Sequence, residues 1–403
     1  MATVPLKRLV DPARPITYGI VQAGEDVAGG VRYIRPVDMD GHRGVDPDAL
    51  RTTSPETGAA YARSSLKPGD VVMSIGPSFG KTMVVPEELN GANLTQGTAR
   101  VAVQSDVHAR YIVWALQSQT SVDFWETSIG GATFRALNLG PLAETPIPVP
   151  SLEEQHTIAS YLDRETARID TLIEEQMRLI ELLRERRIAV LAALMESLGG
   201  MTRLKHVSTV QTGVTLNGEG DPAAPEWPYL RVANVQVGYM DLREIKSVRV
   251  PLERAAASML QPGDVLMTEG GDIDKLGRGA LWRGEVPNML HQNHIFAVRP
   301  SEVLDPEFLV YWLDGPIART YFRTTAKQTT NLAGTNKWTL GNLPVPVPPV
   351  VEQRRAVEAL DEETTKISAL IAETERFIGL ARERRSALIT AAVTGQIDVQ
   401  EMV

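Results

Sequence analysis

From Ser151 to Ser197 the chain contains neither proline nor glycine, and Leu162, Ile169, Ile173, Ile180, Leu183 and Val190 recur at the spacing that gathers apolar side chains on one helical face. Leu360, Ile367, Ile371, Ile378 and Leu388 repeat that stripe, with Gln176 and Thr374 as matched polar members expected on its solvated edge. At 1.5 Å per residue, each helix would be roughly 70 Å long. Both are announced by alternating prolines, PIPVPSLEEQ at Pro146 to Gln155 and PVPVPPVVEQ at Pro344 to Gln353, which enforce extended backbone up to the last proline. Ser151 and Glu154 form the pattern of a capping box; Pro349 stands where Ser151 would be, so the second copy lacks that cap.

The two copies align without gaps at a constant offset of 198 residues, Glu154 to Glu352. Glu-Gln at 154, Leu-Asp at 162, Glu-Thr at 165, and Ile169, Leu172, Ile173 and Glu175 all recur, as does RERR at Arg184 to Arg187 and Arg382 to Arg385. Upstream, LKPGDVVMS from Leu66 is echoed by LQPGDVLMT from Leu260. The repeating unit is therefore a globular segment followed by a long helix, used twice. Residues 1–150 and 200–345 form two globular domains, and 151–199 and 346–403 the helices. Connectivity makes paired helices antiparallel and relates the two halves by an approximate two-fold axis. The expected fold class is α+β.

Composition narrows the function less than the pattern does. The net charge of -9 argues by itself against nucleic acid, but residues 1–150 carry 13 basic and 15 acidic side chains and residues 198–349 carry 15 of each. The acidic excess lies mainly in 151–197, with 6 basic against 10 acidic, which leaves room for a basic face on either globular part. Cysteine is absent, excluding disulfides and thiolate metal sites. With no signal segment at the start and no apolar run of about 18 residues, the expectation is a cytoplasmic protein without membrane contact.

Catalytic patterns fail on spacing. GPSFGKT at Gly76 to Thr82 has three residues between its glycines where a phosphate-binding loop has four, and the following MVVPEE reads as strand. Asp221, Glu244 and Lys246 suggest a metal-dependent nuclease, but the alternation of Leu242, Ile245 and Val248 with charges is that of an exposed strand face. His291 and His294 have no further ligand set, and no metal site is expected.

The PxPxPSLEEQ and PVPPVVEQ blocks, IASYLDRETARID, the two RERR segments and the ending ALITAAVTGQIDV resemble the conserved regions of Type I restriction-modification specificity subunits. The loop MTEGGDIDKLGRGALW from Met267 is similar to one found in a class of their recognition domains. This resemblance implies two target-recognition domains reading the halves of a gapped double-stranded DNA sequence. It implies helices that set the gap and dock two modification subunits, with a restriction subunit joining for cleavage. The chain itself would be non-catalytic and cofactor-free, with S-adenosylmethionine, ATP and Mg on the partners.

Phosphate and base contacts need cations, amides and hydroxyls on loops. The candidates are Ser78, Lys81, Thr82 and Arg135 in the first domain, and Lys275, Arg278, Gln292 and Asn293 in the second. The polar run from Lys327 adds Lys327, Gln328, Thr329, Thr330, Asn331, Asn336 and Lys337. For partner docking they are Arg184, Arg186, Arg187, Arg382, Arg384 and Arg385; a helix-dipole role at the C-terminal ends competes with docking.

Overall fold

The computed structural model describes residues 2–41, 44–129, 136–196, 199–215, 223–273, 276–328 and 333–400. The chain forms two compact units, one of residues 1–177 and 375–403 and the other of 178–374. Each unit therefore combines one globular head with part of both long helices.

The first head contains β1 (Ala2–Pro5), β2 (Thr17–Tyr18), β3 (Val31–Ile34), β4 (Thr52–Thr53), β5 (Val71–Ser74), β6 (Thr82–Val84), β7 (Asn93–Leu94), β8 (Thr98–Val101) and β9 (Pro146–Val149). Its helices are α1 (Pro55–Ala60), α2 (Ala109–Gln117), α3 (Gln119–Ile129) and α4 (Leu139–Ala143), and α5 (Leu152–Glu196) follows. An antiparallel sheet runs β2-β8-β5-β6, and a mixed sheet runs β4-β3-β7 with β3 parallel to β7. The proline-rich β9 pairs with β1, so the extended segment before the helix closes the head. As the spacing predicts, strand and not helix follows the loop at Gly76, which removes the helix N-terminus that a phosphate-binding loop requires.

The second head repeats this plan. Its strands are β10 (Met201–Arg203), β11 (Ser208–Thr212), β12 (Glu226–Leu230), β13 (Lys246–Arg249), β14 (Val265–Thr268), β15 (Gly270–Gly271), β16 (Gly279–Leu281), β17 (Leu290–His291), β18 (Ile295–Pro300), β19 (Lys327–Gln328), β20 (Ala333–Gly334) and β21 (Pro344–Pro346). Between them lie α6 (Leu252–Ala257), α7 (Pro306–Asp314), α8 (Pro316–Thr325) and α9 (Lys337–Gly341), and α10 (Val350–Thr394) follows. The sheets β11-β18-β14-β16 and β13-β12-β17 match those of the first head strand for strand, β10 pairs with β21, and β15-β20-β19 has no counterpart among the described residues of the first head.

The repeated side chains fasten head to helix by the same contacts in both copies. Gln155 Oε1 accepts from the His108 backbone N–H (2.9 Å) just before α2, and its amide donates to Pro150 O (3.0 Å). Gln353 Oε1 likewise accepts from Asp305 N–H (2.8 Å) before α7, and its Nε2 donates to Pro348 O (2.7 Å). Eight residues along each long helix, Asp163 accepts from the Trp114 indole (2.9 Å), and Asp361 accepts from the Tyr311 hydroxyl. Both glutamines are nearly fully buried, so their amides replace water for backbone groups that the helix starts would otherwise leave unpaired.

Each unit shows the helix direction independently. In the first, Asp170 meets Arg385 (2.9 Å), while Ile158 and Leu162 share a core with Ile389 and Val393. In the second, Arg186 meets Glu363 (3.8 Å), while Leu191 and Met195 share a core with Val357 and Leu360. Residue numbers fall on one helix as they rise on the other, which is antiparallel packing. Trp114 and Trp125 fill the first core and Trp312 and Phe322 the second; truncating residues of this size typically costs about 3–5 kcal/mol. The Ser151–Glu154 capping box is formed, with Glu154 accepting from the Ser151 N–H (2.8 Å). Thr374 departs from the expected solvated edge: it is buried and its hydroxyl donates to Leu370 O (2.7 Å).

Candidate nucleic-acid interface

In the first head the loop at Gly76 is tied down from below. Buried Ser74 donates through Oγ to Ser78 O (2.9 Å) and accepts from the Lys81 N–H (3.0 Å). Ser78 is exposed at the tip. Lys81 turns inward, its ammonium donating to Met39 O (2.8 Å) and Pro36 O (3.2 Å). Thr82, expected to face DNA, is a correction: it is fully buried and its hydroxyl accepts from Gln117 (2.7 Å). Its place in β6 turns the side chain into the head.

The second head divides its candidates between two places. Lys327 and Asn336 line a cleft of about 550 Å³ with Glu269, Gly270, Gly271 and His294, walled by the β15-β20-β19 sheet. Asn336 caps α9 by accepting from the Thr339 N–H (2.9 Å), and Lys337 is exposed beside it. His294 Nδ1 pairs with Glu269 at 2.7 Å. Gln292 lies one residue from His291 on the same loop, accepting from Val232 N–H (3.4 Å), while the Asn293 N–H donates to Val214 O (3.1 Å). Arg278 lies apart from this cleft, on the glycine loop beside α8. Gly277 has φ +71°, and a Cβ there would come within 2.4 Å of the Phe322 ring, so the loop packs against α8 only because that position is glycine. Arg135, Lys275, Thr329, Thr330, Asn331 and the Gln328 side chain lie outside the described residues.

His291 itself is fully buried, with no hydrogen-bond partner for either ring nitrogen among the described residues. Burial pushes its pKa down to about 4, slightly opposed by Asp264. Its equivalent in the first head is Leu94: Leu94 pairs with Ile34 and His291 with Leu230, in the same parallel register. Glu244, named for the nuclease reading, is exposed and paired with Lys246 (2.8 Å) and Arg231 (3.2 Å), which hold its carboxyl below the usual range. Asp221 lies outside the described residues, and among the described residues no group of three potential metal ligands occurs.

The RERR segments also differ from expectation. Both lie well inside their helices, because α5 continues to Glu196 and α10 to Thr394, so the terminal dipole does not explain them. Arg385 pairs with Asp170 and sits over Trp114 (5.8 Å), and Arg187 reaches Asp314 of α7 (3.5 Å). These two arginines clamp head to helix. Arg184 pairs with Glu181 (2.6 Å) on its own helix and Arg186 with Glu363 on the other. Arg382 and Arg384 are exposed.

Residues 23–182 match the family described as the Type I restriction modification DNA specificity domain. Over that stretch the chain is similar to Type I DNA specificity domains. A 174-residue stretch is 30% identical to the Type I restriction enzyme EcoBI specificity subunit of Escherichia coli, covering 43% of this chain and 36% of that one; the matched region thus spans about a third of this curated relative. Two solved structures share the fold. One, described as the structural basis of complex assembly and conformational transition of the type I R-M system, has 18% identity, a TM-score of 0.71, and coverage of 97% of both chains. The other, the HsdS subunit from Thermoanaerobacter tengcongensis, has 16% identity and a TM-score of 0.55, covering 98% of this chain and 97% of that one. The specificity-domain match reaches from the first head into α5 and spans the Ser78 loop.

Proposed function

We propose that the chain is the sequence-specificity subunit of a Type I restriction-modification complex, with each head reading one half of a gapped double-stranded DNA target. The observation that carries this is the DNA specificity-domain match over the first head, combined with a second head of the same strand order. The long helices set the separation of the two half-sites. Two modification subunits supply adenine methylation and a restriction subunit supplies cleavage. S-adenosylmethionine, ATP and Mg enter on those partners, and the chain contributes recognition without catalysis.

The helix surfaces support a partner used twice. At the 198-residue offset, Leu172 and Leu370, Leu179 and Phe377, and Leu182 and Leu380 are all exposed apolar side chains. Repeated apolar exposure on matched faces fits two copies of one protein better than solvent. The cytoplasmic assignment belongs to this proposal as well; among the described residues no helix is long and apolar enough to cross a membrane.

The test exchanges residues 200–345 for the corresponding segment of a specificity subunit with a different target and maps methylation in the assembled complex. One half of the recognised sequence should change and the other stay. Alteration of both halves, or of neither, would refute two independent reading heads.

A further inference from the structure

The internal repeat makes one difference between the heads legible position by position. Trp125 of α3 and Phe322 of α8 occupy equivalent buried places, each packed beside the glycine loop of its own head. Counting from that pair, Val122 corresponds to Arg319 and Glu126 to Arg323, and at the end of the preceding helix Gln117 corresponds to Asp314. In the glycine loops, the strand registers Met73–Thr82 and Met267–Gly279 equate Lys81 with Arg278.

These exchanges change the charge of a cleft that both units possess. In the first unit it is lined by Lys81, Arg382 and Arg385 against Asp40, Asp170 and Glu174, which sums to zero. In the second, the lining side chains are Arg184, Arg187, Arg319 and Arg323 with Asp314, a sum of +3 within about 480 Å³, and Glu181 pairs with Arg184 from outside the lining. Asp314 is shared: Arg319 binds one carboxylate oxygen (2.9 Å) and Arg187 approaches the other (3.5 Å). Arg319 also donates to Leu276 O (3.2 Å), which fixes the glycine loop against α8. Among the described residues Arg187 Nε is buried without a hydrogen-bond partner, and so is Nε of neighbouring Arg278, whose pKa is lowered chiefly by burial and further by Arg319. Position in the last turn of α8 accounts for Arg323 alone, since Arg184 and Arg187 lie mid-helix and Arg319 near the start of α8. Four guanidinium groups with two carboxylate partners keep a cationic excess that an anion would offset.

We propose that this cleft, lined from α5, α8 and Ile273, binds a phosphodiester of duplex DNA, giving the second head a backbone clamp that the first lacks. The inference rests on the proposed DNA-recognition role and deepens it. Guanidinium is suited to phosphate by its fork of donors, and Ile273 makes the cleft continuous with the glycine loop that carries Arg278. A backbone contact positions the duplex without reading sequence.

The experiment uses the full chain assembled with its modification subunits and a random-sequence duplex, measuring affinity across salt concentrations. Arg184→Gln with Arg323→Gln should lower the slope of log affinity against log salt by about one for each phosphate no longer neutralised, and leave assembly intact. An unchanged slope overturns the clamp, and failure to assemble overturns it in favour of a protein partner in the cleft. In a second arm, inorganic phosphate at fixed ionic strength should raise the melting temperature of the full chain, and raise it less in the double variant. If the wild-type complex binds no DNA, the recognition role fails, and equal phosphate responses of wild type and variant then reject the anion site as well.

Discussion

Gln155 and Gln353 make the clearest case at the scale of single residues, because each buries an amide that satisfies backbone groups of both head and junction. Asp163 and Asp361 do the same for an indole and a phenol. Their recurrence was visible in the sequence, but their partners were not: Trp114 and Tyr311 differ chemically and lie outside the aligned blocks. Thr82 shows the opposite failure, since a polar residue beside a glycine loop reads as exposed until the strand register turns it inward. His291 gives a prediction with a defined sign. Its folded pKa of about 4 lies below the ordinary 6.5, so the unfolded chain binds a proton first as pH falls. Its contribution is complete above pH 6.5 and is lost between about 6.5 and 4, amounting to roughly 3 kcal/mol at most. His291→Leu, which installs the residue found at Leu94, should raise thermal stability and flatten the wild-type decline over that interval. Melting curves with the same pH slope in both proteins would contradict the assignment.

At the scale of elements, the two long helices were readable because proline-free length and apolar period leave few alternatives. The stripe at Leu162, Ile169, Ile173, Ile180 and Leu183 is buried as its spacing requires. The heads were less legible: strands of two to six residues carry little periodic signal, and their sheets form by pairing across long loops. The arginines of RERR show how function and packing compete for the same residues, since Arg187 and Arg385 are engaged inside their units. The proposed docking is therefore assigned to the repeated apolar positions. Leu182→Glu with Leu380→Glu, at residues 52% and 60% exposed, should leave the fold intact and prevent co-purification of the modification subunit. Wild-type yield of the complex on size exclusion would exclude this face.

On the scale of the whole molecule, the chain uses one head-and-helix plan twice. The same sheet order serves both heads, while their loops and clefts diverge: one cleft is neutral and the other strongly cationic. The duplication of the plan was apparent from the 198-residue offset, whereas the charge asymmetry was hidden because α3 and α8 share little sequence. Divergent clefts on a repeated frame fit the proposed reading of two different half-sites with unequal backbone contacts. The most direct test is single-molecule sequencing of N6-methyladenine in cells that carry the partner methyltransferase, with and without this gene. The account predicts that removing the gene abolishes methylation at one gapped, two-part sequence. An unaltered methylation map in cells where the complex is expressed and assembled would contradict it.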